Sequence, residues 1–192
     1  TTGLRRGEIL ALKWSDINLD KKTIQVQRIF TRVPGQRYIE AEPKTKKSRR
    51  SVSLTSNAVE LLKQHKKRQS EAKLKASSQW VENNLVFCTS LGTPYNPSKL
   101  LERFSTLLKR AGLPHMRFHD LRHSAATILL AMNVHPKIVQ ELLGHNQISM
   151  TMDLYSHVLP GMQEGMIDKL EEALEQPEDD EDNDEGTGIP VG

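Results

Sequence analysis

The chain of 192 residues contains a single cysteine, Cys88, so no disulfide can form within it, and a reducing, cytosolic setting is expected. No apolar run approaches the roughly 18 to 20 residues needed to cross a bilayer, and the opening residues lack the basic-then-apolar pattern of a signal peptide. Membrane-embedded functions are thereby set aside. No segment repeats, which excludes a solenoid array. Tyrosine is scarce: Tyr38, Tyr95 and Tyr155 are all there are. Lysine and arginine are missing altogether from residues 175–192, where eight acids (Glu175, Glu178, Asp179, Asp180, Glu181, Asp182, Asp184 and Glu185) are gathered.

That last absence conceals a strong asymmetry behind a formal charge of +3. With those eight acids set apart, the first 174 residues carry all 27 lysines and arginines against 16 acids, a balance of +11. Such a surplus suits a polyanion, because each phosphate neutralised by lysine or arginine releases condensed counterions. On charge alone, a basic solvated surface is an equally good reading. At 36% hydrophobic and 27% charged residues the composition is that of a soluble globular chain, long enough for one well-buried domain and too short for two of ordinary size.

Periodicity predicts a mainly α chain with a small antiparallel β-sheet near the N-terminus. A short helix over Gly7 to Trp14 has Ile9, Leu10 and Leu12 to bury and Arg5 at its entrance. Alternation predicts a strand from Thr23 to Val33, then strands around Tyr38 to Ala41 and Arg50 to Leu54, the last two flanking the basic segment Lys44-Thr45-Lys46-Lys47-Ser48-Arg49. Helices follow from about Asn57 to Leu74, from Asn96-Pro97-Ser98 to Gly112, and from Pro136 to Leu143 with Gly144 as a left-handed cap. Between the last two, Leu121, Ala125, Ile128, Leu129 and Met132 predict one buried stripe, with His119 and Arg122 on a neighbouring face at its start. Ser149 is read as the cap of a helix through Tyr155 to Pro160. An amphipathic helix with Met162, Met166, Leu170 and Leu174 on one side closes the folded part, and the acidic tail is too poor in apolar residues to fold alone.

Several short motifs stand in a fixed order: Gly3-Leu4-Arg5-Arg6-Gly7-Glu8, Pro43-Lys44-Thr45-Lys46, His119-Asp120-Leu121-Arg122-His123, Leu143-Gly144-His145, and Tyr155 ten residues after His145. Any one of them is weak evidence, since an isolated arginine is more often a surface residue and an isolated histidine more often structural. Together they resemble the catalytic domain of the tyrosine recombinases, the phage integrase family. The pair His119 and His123 also has the spacing of two metal ligands, but the residue after the first is Asp120, not the glutamate of the zinc proteases, and no third ligand has convincing spacing.

The resemblance implies a role for each residue. Arg5 and Arg122 would hold the scissile phosphate, a guanidinium offering two parallel hydrogen bonds and a charge that persists at any working pH. His119 and His145 would hydrogen-bond its oxygens, with His119 also able to accept the proton of the nucleophile Tyr155. Lys44 best matches the lysine that protonates the leaving oxygen, although Lys46 and Lys47 lie close by. Glu8 is expected to orient Arg5 or cap its helix. The family further implies metal-free, ATP-independent strand exchange on double-stranded DNA through a 3′-phosphotyrosyl link, by a tetramer on paired sites. Accessory DNA-bending or directionality proteins would assist, in the bacterial cytoplasm at the nucleoid. A catalytic domain over residues 1–175 and an acidic tail over 176–192 are expected. The family's preceding DNA-encircling domain and the helix ahead of Gly3 are not in this sequence, which is expected to be a piece of a longer protein. Two other readings stand beside this one: a type IB topoisomerase-like enzyme and a catalytically silent DNA-binding module.

Overall fold

The structure, a computed structural model, describes residues 2–31, 39–42, 48–145, 147–154 and 156. The chain divides into units Thr1–Val158 and Leu159–Gly192, and everything described belongs to the first. The expected final helix and acidic tail, and the expected residues Tyr38, Lys44, Lys46, Lys47 and Tyr155, lie outside the described residues.

Helix α1 (Arg6–Leu10) opens the fold. Strands β1 (Ile17–Asn18), β2 (Thr23–Val26), β3 (Ile29–Thr31), β4 (Ile39–Ala41) and β5 (Arg50–Ser53) follow, then helices α2 (Ser56–Ala76), α3 (Pro97–Arg110), α4 (Asp120–Ala131) and α5 (Pro136–Leu143). Residues 149–154 and 156 are helical as well. The architecture is mainly α with a small N-terminal antiparallel β component. Among the described residues, no helix is long and apolar enough to cross a membrane.

The β component differs from the expected single sheet. The predicted strand from Thr23 breaks after Val26 and resumes at Ile29, its halves entering different sheets: a three-stranded one ordered β1-β2-β5 and a two-stranded one of β3 and β4. Arg28 stands at the break, bonding the buried Asp16 at 2.6 Å and Glu40 of β4 at 3.1 Å, so an ion pair replaces ladder pairing there. In the three-stranded sheet Ile24 pairs with Val52 and Val26 with Arg50. Alternation turns Ile24, Val26 and Val52 into a core shared with Leu4, Leu12, Leu54, Val59 and Val86. Strand β3 lies against α1 so closely that a Cβ at Gly7 would come within 2.7 Å of the Phe30 carbonyl oxygen.

Helix termini follow local chemistry. Thr55 Oγ1 accepts from the Ala58 amide, and Asn96 Oδ1 from Ser98 with Pro97 in the first turn. Gly144 (φ 65, ψ 46) closes α5 in the left-handed conformation. The last described helix begins one residue from expectation, with the Ile148 carbonyl accepting from Thr151 and Met152, so that Ser149 is already helical.

Helix α4 requires a larger correction. Leu121, Ile128 and Met132, expected in the buried stripe, are exposed, whereas Arg122, Ala125, Ala126 and Leu130 are buried. The inward row is Arg122, Ala126 and Leu130 at i, i+4 and i+8. Ala126 and Leu130 form a core with Val139 and Leu143 of α5, and Arg122 extends the row because its guanidinium finds carbonyl partners inside. Orienting the helix by that row turns the larger apolar side chains outward.

Candidate functional site

The C-terminal end of α5 is the centre of the site. A helix terminus leaves its last carbonyls without intrahelical partners and carries a partial negative charge. Here three guanidiniums meet those carbonyls in sequence. Arg50 Nε donates to Leu142 at 2.6 Å, Arg122 Nη2 to Leu143 at 2.5 Å, and Arg5 Nη2 to Gly144 at 2.9 Å. Arg122 Nη1 also donates to the Gly3 carbonyl. Residues 5, 50, 122 and 144, far apart in the chain, are thus drawn to one point.

Glu8 is the carboxylate among them. Its Oε2 accepts from the Arg5 amide at 2.8 Å and its Oε1 from Arg5 Nη1 at 2.9 Å, so it both caps the start of α1 and orients Arg5, as expected. Arg50 grips it with both nitrogens, Nη1 to Oε1 at 3.1 Å and Nη2 to Oε2 at 2.9 Å. Burial opposes the charge on Glu8, but the hydrogen bonds and charge of Arg50, with those of Arg5, hold its carboxyl below the ordinary range.

The three guanidiniums therefore face one carboxylate, leaving a positive surplus. Arg122 is buried; loss of solvation, with Arg5 and Arg50 nearby, pushes it down to about 9 against the opposing pull of Glu8. It remains a cation at neutral pH. Arg5 keeps 31% of its side chain exposed, the member most open to an incoming anion.

His145 follows the Gly144 cap directly and is buried, its Nδ1 2.9 Å from Thr151 Oγ1. Its amide donates to Gln140, whose side-chain nitrogen returns a bond to the His145 carbonyl. Burial first, then the charges of Arg122 and Arg5, push the imidazole down to about 4. It is neutral at pH 7. His119 stands exposed at the N-cap position of α4, without a side-chain capping bond, its ring edge-on to His123 with centroids 5.0 Å apart. Partial burial, His123, Arg122 and Arg5 lower its pKa in that order, so it too favours the neutral form. A cleft of about 500 Å³ runs beside Arg5 and His119, with Arg6 and Arg117 on its rim.

Four of the six residues singled out in the sequence, Arg5, His119, Arg122 and His145, thus meet here. Lys44 and Tyr155 fall outside the described residues. Sequence reasoning missed Arg50 and Thr151. For Arg50 the signal was present: Arg50, Val52 and Leu54 alternate on one face of the predicted strand, and the other two are apolar. Among the described residues, no group of three or more His, Cys, Asp or Glu side chains could hold a metal ion.

A neutral histidine beside surplus guanidinium charge, with one arginine accessible, is an arrangement that can bind an anion. Residues 1–161 match the Phage integrase family, and the chain belongs to it. Over 180 residues it is 43% identical to a tyrosine recombinase XerC-like protein of Caldanaerobacter subterraneus subsp. tengcongensis, covering 88% of this chain and 46% of that one. Over 173 residues it is 33% identical to the ICEBs1 integrase of Bacillus subtilis, covering 90% and 46%. The chain therefore spans about half the length of these relatives. In fold it resembles the Tn1549 transposon integrase solved in complex with transposon right end DNA, with a TM-score of 0.74 at 24% identity over 88% of this chain and 56% of that one.

Proposed function

We propose that the chain is the strand-cleaving part of a site-specific recombinase acting on double-stranded DNA. The observation that carries this reading is the surplus of guanidinium over carboxylate at the end of α5, beside a neutral His145, in a chain of the phage integrase family. Arg5 and Arg122 bind the two non-bridging oxygens of the scissile phosphate and stabilise the charge that grows there in the transition state. Thr151 donates its hydroxyl proton to Nδ1 of His145, which leaves Nε2–H to donate to the same phosphate.

The Tyr155 oxygen attacks phosphorus and gives its proton to His119. The bond from phosphorus to the 5′-oxygen breaks, and that oxygen takes a proton from Lys44 as it leaves. The product is a 3′-phosphotyrosyl link and a free 5′-hydroxyl; attack by the 5′-hydroxyl of a partner strand reverses the step. No net oxidation occurs, and the phosphodiester energy is kept in the link. Residues 1–175 form the catalytic domain and 176–192 an acidic tail. The whole protein works as a tetramer on paired sites in the bacterial cytoplasm at the nucleoid, with accessory DNA-bending or directionality proteins.

The test is a nicked DNA duplex whose short 5′ fragment diffuses away after cleavage, so that the covalent complex accumulates. The unaltered chain should form the adduct and Tyr155→Phe none, while both bind DNA with similar affinity. Binding without adduct by the unaltered chain would reduce the protein to a DNA-binding module, and relaxation of plasmid lacking paired sites would favour a topoisomerase. Lys44→Ala should be slow on ordinary DNA and close to normal on DNA with a 5′-bridging sulfur, which leaves without a proton. Rescue of Lys46→Ala or Lys47→Ala instead would move the acid along the segment.

A further inference from the structure

We propose that Arg50 is a positioning residue for strand cleavage, holding Glu8 and the last turn of α5 in the arrangement that aims Arg5 at the phosphate. The inference rests on the recombinase reading and adds to it a residue that the family motifs in this sequence do not mark.

Arg50 is ill placed to touch DNA itself. Its side chain is 7% exposed and Arg122 is buried as well, but where Arg122 makes two hydrogen bonds among the described residues Arg50 makes four. Its donors are spent inside the protein: Nε on the Leu142 carbonyl at 2.6 Å, Nη1 and Nη2 on the two oxygens of Glu8, and Nη1 also on the Ser48 carbonyl at 3.3 Å. The relay is continuous. Oε1 of Glu8 is shared between Arg50 Nη1 and Arg5 Nη1, and the other terminal nitrogen of Arg5 bonds Gly144, the second residue after Leu142. Arg5 is thus held by two anchors, Glu8 and the end of α5, and Arg50 holds both.

The packing is close as well as polar. A Cβ at Gly144 would lie 3.0 Å from Arg50 Nη1 and 3.2 Å from its Cδ, so the left-handed glycine that ends α5 also admits the Arg50 side chain. The same guanidinium also bonds the carbonyl of Ser48, the residue that follows Lys47 in the chain. Lysine cannot substitute: one ammonium cannot span two carboxylate oxygens and a carbonyl in a single plane. A displacement of about 1 Å in a positioning group can cost on the order of 100-fold in rate, so loosening this relay should appear in the cleavage step more than in binding.

The experiment measures single-turnover adduct formation by the full chain on the nicked duplex, with DNA affinity measured separately in a Tyr155→Phe background. Arg50→Lys should slow adduct formation at least about 30-fold while DNA affinity stays within about threefold. Combined with Arg5→Lys, it should cost less than about threefold further, because residues acting through one another do not add. Adduct formation by Arg50→Lys at the normal rate, or losses that multiply in the double variant, would overturn the inference. If Arg50→Lys does not fold, Glu8→Gln, which removes the charge that Arg50 grips and turns one of the two acceptor oxygens into a donor, is read in the same way. It should be slow alone and add little to Arg5→Lys; a normal rate or multiplying losses would overturn the inference just as surely. Absence of adduct with the unaltered chain would overturn the recombinase reading, and this inference with it.

Discussion

Two polar clusters are built into this fold, and they solve the cost of burial differently. Around Trp14, the indole N–H donates to Gln69 Oε1 at 2.6 Å, while Gln69 Nε2 reaches the carbonyls of Leu85 and Val86 and the Cys88 sulfur. His65 Nε2 meets the Val86 carbonyl at 2.7 Å, between the stacked rings of Trp14 and Phe87. These groups serve one another, and nothing in the arrangement asks for a ligand. At the end of α5, by contrast, Arg5, Arg50 and Arg122 meet one carboxylate and five carbonyls, three of them the consecutive ones that close the helix. Hydrogen bonds are made there, but charge is not balanced. The first cluster fastens α2 to the loop around Leu85; a cluster with surplus positive charge is stabilised further by an arriving anion.

The strongest test of that contrast is Arg122→Lys. Loss of the planar fork should slow adduct formation about 10²- to 10³-fold, equivalent to about 3–4 kcal/mol of transition-state stabilisation, with a smaller change in DNA affinity. Cleavage within about threefold of normal would mean that the surplus charge at α5 serves the fold and not the reaction.

Acid should separate the clusters next. His145, pushed down to about 4 in the folded state, binds its proton more readily when unfolded, where its pKa is near 6.5. Its contribution is fully present above about pH 6.5 and is lost as pH falls toward about 4, on the order of 3 kcal/mol in all. Denaturant titrations at pH 7 and pH 4.5 should show that loss, and His145→Gln should flatten the difference. An unchanged pH dependence in His145→Gln would show that the imidazole does not resist protonation.

Gln69→Leu probes the closed cluster. It strands the Trp14 N–H and removes a donor from the Leu85 carbonyl, while the Val86 carbonyl keeps His65, and should lower stability by about 1–2 kcal/mol, with the adduct rate per folded molecule unchanged. A slowed rate at full folding would mean that the two clusters are coupled. The smallest effect is expected outside both. Deleting 175–192 should tighten non-specific DNA binding by about a few-fold at low salt and not at high salt, where the charges are screened. Equal affinity at low salt would show that the eight acids never oppose DNA.

Legibility in the sequence followed the range of the interactions. Helix starts at Asn96 and Pro97 and the stop at Gly144 were readable because capping involves neighbours in the chain. Glu8 could be paired with Arg5 because three residues separate them. The break at Gln27-Arg28 was not readable, since the partners that draw Arg28 away, Asp16 and Glu40, lie twelve positions distant in either direction. The α4 stripe was misread because periodicity counts apolar side chains, whereas the buried row includes a charged one that only carbonyls from Gly3 and Leu143 make tolerable.

By itself, the sequence determined the family, the mainly α class with its small β component, the helix ends, and the residue types available for phosphodiester chemistry, because order, spacing and local hydrogen bonding are properties of the chain alone. Only the tertiary structure decided that three arginines from three distant segments would converge on consecutive carbonyls at the end of α5, that Arg50 would be one of them, and that His145 would be neutral. Those outcomes depend on desolvation and on the field of groups brought together by packing. Neither exists until Leu143, Ala126 and Leu130 have closed α5 onto α4.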